Sequence, residues 1–350
     1  IPTFKPTIAV KKPILGLVYD LFELGEKDPD SLILELNKDP LQISGGTELF
    51  QCPEDLSQRL TYPDTVDYSV LEKFRQGDES TWILFQHLRK AGGTSFCDLA
   101  ASNIGRSSVP PYFCMPDDRG SLAIPPWSGA TYTQTYLKKH HWRVAANEWD
   151  ALFSDMLHWP GAVLGTTIRH PIDRWYSQYR FEHLEHRDGS EEGSKRQSFR
   201  KYYNSMRGWT ITSNYYVKTF IGGANAPDEP KNKGDFYWTY HKYEKIPITK
   251  QMFADAINNI LHLHFIIVLE YMNTSSIILK RTLNWSIPPK QVLPHESQAI
   301  RKDKKSITAI EALSNEDYHY MQVENLYDLL FFEVVKRIYL ERLLCVNKLN

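Results

Sequence analysis

Unbroken apolar runs bounded by polar turn residues recur along the chain. Trp82–Phe85 and Ala162–Ile168 are two of them. Both are too short for a typical helix and carry no solvent face, so they predict strands covered on both sides. Trp142–Ala146 predicts a further short strand. After the first run, Gly92 and Gly93 predict a tight turn, and Thr94 and Ser95 are available to cap a helix behind it. After Ile168, Pro171 suits a first helical turn, and Ile172, Trp175, Tyr176 and Tyr179 recur at helical spacing to give one apolar face. Strand, turn and helix in succession predict an α/β domain.

Outside these stretches the pattern weakens. Residues 1–75 are rich in proline and acidic residues and predict an N-terminal extension packed on the core. Short helices are expected within it near Asp30–Leu36 and Thr65–Phe74. The core begins near Thr81 and the main domain spans 76–350. Ser107–Trp127, with its Val-Pro-Pro and Ile-Pro-Pro phrases, predicts a long loop over the site, and Gly222–Gly234 a turn-rich linker. No internal repeat is present.

The 350 residues suffice for one large α/β domain or two small ones. A formal net charge of −1 gives no global field to attract polyanions, so any such contact must come from a local patch. No run of about 20 apolar residues is present to span a membrane. Ile1-Pro2-Thr3 carries neither an initiator methionine nor a signal-peptide pattern, which predicts a mature or trimmed chain. The four cysteines, Cys52, Cys97, Cys114 and Cys345, lack metal-ligand spacing. A Cys97–Cys114 bridge and buried free thiols both remain open. Asn273-Thr-Ser275 and Asn284-Trp-Ser286 are sequons that permit glycosylation in a secretory lumen.

The turn after Trp82–Phe85 carries the candidate chemistry. A glycine-containing turn at a helix start directs backbone N–H groups to one spot, which suits a phosphate or sulfate. A Walker A loop is excluded, because its lysine follows the glycines whereas Lys90 precedes them. The turn is short enough to embrace one phosphate group. Arg169 and Ser177, eight residues apart, can converge on a second anion from a strand end and the following helix.

These two segments resemble the nucleotide-binding signatures of sulfotransferases that use 3′-phosphoadenosine 5′-phosphosulfate (PAPS). His87-Leu-Arg-Lys90-Ala-Gly-Gly-Thr94 is similar to the phrase by which that superfamily holds the 5′-phosphosulfate. Ile168-Arg-His-Pro-Ile-Asp-Arg174-Trp-Tyr-Ser177 is similar to the one that holds the 3′-phosphate. The nearest likeness is to Golgi carbohydrate sulfotransferases of the heparan sulfate 6-O and 2-O type. Ser213–Gly222, Phe265–Glu270 as a late strand, Ser275–Asn284 as a helix and Asn315–Leu330 as a near-terminal helix extend the likeness over roughly residues 80–340.

The resemblance implies a P-loop-like three-layer α/β sandwich, with a central parallel sheet flanked by helices. It implies a carbohydrate-sulfating transferase of the Golgi, made as a membrane-anchored glycoprotein precursor. It implies PAPS as donor, with no metal required, no nucleic acid as partner, and a glycan or other hydroxyl compound as acceptor. Arg89, Lys90 and the N–H groups of Ala91, Gly92, Gly93, Thr94 and Ser95 would hold the 5′-phosphosulfate. Arg169 and Ser177 would hold the 3′-phosphate, and the basic loop His295–Lys305, through Arg301, would close over it. Lys90 would also stabilise charge on the bridging oxygen. The family's catalytic histidine falls at Ala146, so Glu148 is the favoured general base, with His141 and His140 as alternatives. His87 is expected to pack beneath the loop. The basic residues of Glu182–Arg207 are either a wall for an anionic acceptor or a solvated face. Two other classes stay open: a non-catalytic glycan-binding or structural subunit, and a nucleotide-dependent kinase.

Overall fold

The computed structural model describes residues 13–61, 68–116, 129–148, 151–152, 154–181, 198–206, 212–221, 246–286 and 308–345. Its helices before the sheet are α1 (Pro13–Lys27), α2 (Pro29–Asn37), α3 (Gly46–Leu49) and α4 (Tyr68–Arg75). Strand β1 (Trp82–Gln86) leads into α5 (Gly93–Ile104). Then come α6 (Gly129–Lys139), β2 (Val144–Asn147), β3 (Ala162–Ile168), α7 (Pro171–Tyr179), α8 (Phe199–Met206) and α9 (Tyr215–Phe220). The C-terminal part holds α10 (Lys250–Leu261), β4 (Phe265–Val268), α11 (Met272–Leu283), α12 (Ala309–Ala312), α13 (Asn315–Glu324) and α14 (Leu326–Leu344).

The chain is an α/β protein. Among the described residues, four strands form one all-parallel sheet in the order β2-β1-β3-β4. Every strand residue is buried, so both faces are covered, as the uninterrupted apolar runs demand. Gly165 lies mid-strand because a Cβ there would stand 2.0 Å from the ring of Phe265 on β4. Phe85 stacks on Phe96 of α5 with ring centroids 3.8 Å apart, fixing that helix on the sheet.

Several expectations need correction. The N-terminal region holds a 15-residue helix, α1, whose buried Ile14, Val18, Leu21 and Phe22 keep helical spacing. The strand expected at Trp142–Ala146 begins two residues later, because His141 takes a left-handed conformation (φ 58°) and turns the chain out of α6. The single helix expected at Asn315–Leu330 is two, α13 and α14, broken at Asn325 and continuing to Leu344. Buried Asn325 accepts a hydrogen bond from Trp175 Nε1 (2.9 Å) and donates to the Met321 carbonyl (3.0 Å), so the break is built from a side chain. Helix α14 is buried on nearly every side and packs against α1, α9, α10 and β4. Asp328, Arg337 and Glu341 are its buried charges; Arg337 Nε donates to Glu341 Oε1 at 2.7 Å.

All four cysteines are paired, Cys97 with Cys114 and Cys52 with Cys345. The second bridge joins the N-terminal region to the end of α14. Among the described residues, no helix is long and apolar enough to cross a membrane.

Candidate functional site

The sheet topology marks a candidate crevice. The connection after β1 leads to β2, on one side; the connection after β3 leads to β4, on the other. Adjacent parallel strands whose connections depart in opposite directions leave an opening beyond their C-terminal ends, the usual ligand position in open α/β sheets. Every strand delivers charge to this edge: Arg89 and Lys90 follow β1, Glu148 follows β2, Arg169 follows β3 and Glu270 follows β4.

The β1 loop is a tight turn. Leu88 N–H donates to the Gln86 carbonyl and Ala91 N–H to the Leu88 carbonyl, each at 3.1 Å. Lys90 (φ 60°) and Gly92 (φ 95°) are both left-handed, which turns the chain into α5 at Gly93. Gly93 is required for another reason: a Cβ there would stand 1.8 Å from His87 Cδ2. His87 therefore lies beneath the loop, 4% exposed, and its Nδ1 has no hydrogen-bond partner among the described residues. Burial lowers its pKa, so the ring is held neutral.

Thr94 and Ser95 do not cap α5. The cap position is Gly92, which supplies no side chain, and the first helical bond runs from Phe96 N–H to the Gly92 carbonyl (3.1 Å). Thr94 and Ser95 instead lie inside the first turn, whose N–H groups have no intrahelical acceptor. Ala91, by contrast, is fully buried and its N–H is spent within the turn. The candidate anion-binding arc thus narrows to Gly92–Ser95.

The cations are held in place. Lys90 Nζ stands 3.8 Å from the centroid of the Phe181 ring, a cation–π contact. Arg89 Nε lies 3.8 Å from Glu148 Oε1, both side chains largely buried. That pair brings the end of β2 to the β1 loop, so Glu148 shares the edge with Lys90. Arg169 Nη1 donates to the Lys90 carbonyl at 3.5 Å, joining the two motif segments across the crevice.

The main chain at the β3–α7 corner is braced by side chains that sequence spacing did not single out. Tyr216 of α9 donates its hydroxyl to the Arg169 carbonyl (2.7 Å) and receives Arg169 N–H (3.4 Å). Glu270 Oε1 accepts His170 N–H at 2.7 Å. Tyr215, next to Tyr216, takes Arg89 N–H on its hydroxyl at 3.4 Å. Helix α9 is itself anchored by Asp328, which accepts the N–H groups of Tyr216 (2.9 Å) and Val217 (3.0 Å). Buried Arg174 fills the space between, its guanidinium 3.6 Å from the centroid of Trp175 and 4.2 Å from that of Tyr215. Burial raises the Tyr216 phenol's pKa, which keeps it a donor. His170, half-buried beside Phe332 and Asp173, is pushed down to about 4, desolvation being the main cause. Tyr216 lies in a segment legible as family-like, but its partner is 47 residues away in sequence and no local signal links them.

Other expected residues fall elsewhere. Ser177 is half-buried two turns into α7, and its hydroxyl makes no hydrogen bond among the described residues. His140 and His141 are not at this edge. They precede β2, at the opposite end of the sheet, roughly 20 Å from Glu148 at about 3.3 Å per strand residue. His140 packs against the rings of Tyr136 and Trp142, with centroids 4.6 Å from each. Ala146 is buried within β2 and offers no ionisable group. Arg200, counted as part of a cationic wall, pairs with Glu316 (2.9 Å) and Asp317 (3.2 Å), tying α8 to α13. Arg301 and the rest of its basic loop, and Arg187, Lys195, Arg196 and Arg207, lie outside the described residues.

Compared with models of known protein families and with curated proteins, the chain matches none.

Proposed function

We propose that this chain is a PAPS-dependent O-sulfotransferase, with the sulfotransferase form of the three-layer sandwich, acting on a carbohydrate hydroxyl. The observation that carries the reading is the meeting of two candidate anion-binding segments at one topological switch point. A tight loop with an uncapped helix start lies on one side of the crevice and Arg169 on the other, linked through the Lys90 carbonyl. A nucleotide with phosphates at its 5′ and 3′ positions needs two such groups at fixed separation.

In this reading the donor supplies the sulfuryl group. The N–H groups of Gly92–Ser95 hold its 5′-phosphate and Arg169 holds its 3′-phosphate, with Ser177 available on α7, the helix that follows. Glu148 accepts the proton of the acceptor hydroxyl as that oxygen bonds to sulfur. Lys90 leaves the Phe181 ring to offset charge on the bridging oxygen as the sulfur–oxygen bond to phosphate breaks. The two disulfides suit an oxidising compartment, which supports a Golgi or secretory location for the protein.

Buried Ala146 favours a second reading, a nucleotide-binding subunit without transfer activity, since the family's histidine is replaced there. One experiment separates the two. Glu148→Gln retains nucleotide binding and loses about a hundredfold in sulfuryl transfer to a glycan acceptor if Glu148 is the base. A wild-type chain that binds nucleotide yet transfers to no hydroxyl acceptor supports the subunit. A chain that binds no adenosine 3′,5′-bisphosphate contradicts both.

A further inference from the structure

Two consecutive tyrosines of α9 reach the two loops that face the crevice. Tyr215 touches Arg89 N–H on the β1 side, and Tyr216 holds both main-chain groups of Arg169 on the β3 side. Neighbouring residues on a helix point about 100° apart, so a single short helix can brace both sides of an opening. The brace is rigid. Both tyrosines are buried, α9 is tied to α14 by the Asp328 carboxylate, and Asn214 Oδ1 accepts the N–H groups of Tyr327 (2.9 Å) and Asp328 (3.1 Å). The Arg174 guanidinium lies over both rings, 4.2 Å and 5.5 Å from their centroids.

We propose that Tyr215 and Tyr216 are positioning residues that set the separation of the two phosphate-holding loops, and so select a nucleotide phosphorylated at both 5′ and 3′ positions. Neither hydroxyl is assigned to the ligand. Tyr216 donates to and accepts from the main chain, Tyr215 accepts one main-chain N–H, and each acts by holding a loop whose other groups bind. Tyr216 governs the 3′ side, because loss of its hydroxyl frees the Arg169 carbonyl and N–H, and with them the direction of the guanidinium. Tyr215 governs the 5′ side through Arg89. Side chains that lock binding groups from behind are what gives a site its precision.

This rests on the nucleotide reading above, and the test separates the two. Adenosine 3′,5′-bisphosphate and adenosine 5′-phosphate are each titrated calorimetrically into wild type, Tyr216→Phe, Tyr215→Phe, Arg169→Ala and the Arg169→Ala, Tyr216→Phe double variant. Wild type is expected to prefer the bisphosphate by about a hundredfold. Tyr216→Phe, which keeps the ring and its packing, should cut that preference about tenfold and leave the monophosphate affinity unchanged. In the Arg169→Ala background the same change should have no further effect.

Retention of the wild-type preference by Tyr216→Phe, or equal weakening of both nucleotides, overturns the proposal while leaving the function intact. Should Tyr216→Phe fail to fold, Tyr215→Phe decides: weaker binding of both nucleotides alike supports the brace, and wild-type affinities overturn it. A wild-type chain that binds neither nucleotide removes the function and the brace together.

Discussion

Gly93 and His87 show how little freedom the candidate site has at the residue scale. A methyl group at Gly93 would fall inside the imidazole that supports the loop, so Gly93→Ala must displace one or the other. Overpacking of this kind typically costs about 1–3 kcal/mol. Urea unfolding should register that loss, and nucleotide affinity should fall with it; an unchanged midpoint would mean that the loop is loosely supported. His170 gives a second residue-scale prediction. Its folded pKa of about 4 lies below the ordinary histidine value, chiefly through burial. The unfolded chain then takes up the proton first, so the contribution of this group to stability is complete above about 6.5 and is lost as pH falls towards about 4. Asp328, raised to about 6 by burial, acts in the opposite sense over much of that range. Direct titration therefore isolates His170 better than a stability curve. Its ring proton resonances should stay fixed from pH 8 to 5 and move near 4, and a midpoint near 6.5 would contradict the burial argument.

At the scale of elements, the runs that became β1 and β3 were legible because a strand covered on both faces needs no polar alternation. The turn at Gly92 and Gly93 was legible for its composition, though the capping role of Thr94 and Ser95 was misread. Left-handed Lys90 and Gly92 start the helix earlier, and a left-handed lysine carries no sequence signature. The break at Asn325 was hidden for a related reason. Asparagine is tolerated within a helix, and only its bonds to Trp175 and Asn214, far away in sequence, make it a breakpoint. Asn325→Ala should leave buried Trp175 Nε1 and half-buried Asn214 N–H without their acceptor, and lower unfolding stability by ~2 kcal/mol. Equal stability of the variant and wild type would show that α13 and α14 break for another reason. The clamp of Tyr216 on Arg169 was illegible in the same way: both residues stood in recognisable segments, but their contact is purely tertiary.

For the whole molecule, the C-terminal helix is the organiser. α14 lies against the N-terminal α1, the end of the sheet at β4 and the α9 brace, so the candidate site depends on residues far from it. The Cys52–Cys345 bridge closes this arrangement over a sequence separation of 293 residues. Replacing both cysteines by serine is expected to cost about 2–4 kcal/mol in unfolding free energy. Mass spectrometry of the unreduced, unfolded chain should find no alkylated cysteine, and uptake of alkylating agent would contradict the pairing.

In the proposed function, the crevice between the ends of β1 and β3 holds one nucleotide by phosphates at the 5′ and 3′ positions of its ribose. Calorimetric titration of adenosine 3′,5′-bisphosphate tests it most directly. Binding at micromolar strength or tighter is expected, weakened about a hundredfold by Arg169→Ala, a loss of about 2.7 kcal/mol. Absence of binding heat with the wild-type chain, or equal affinity for the Arg169→Ala variant, would contradict it.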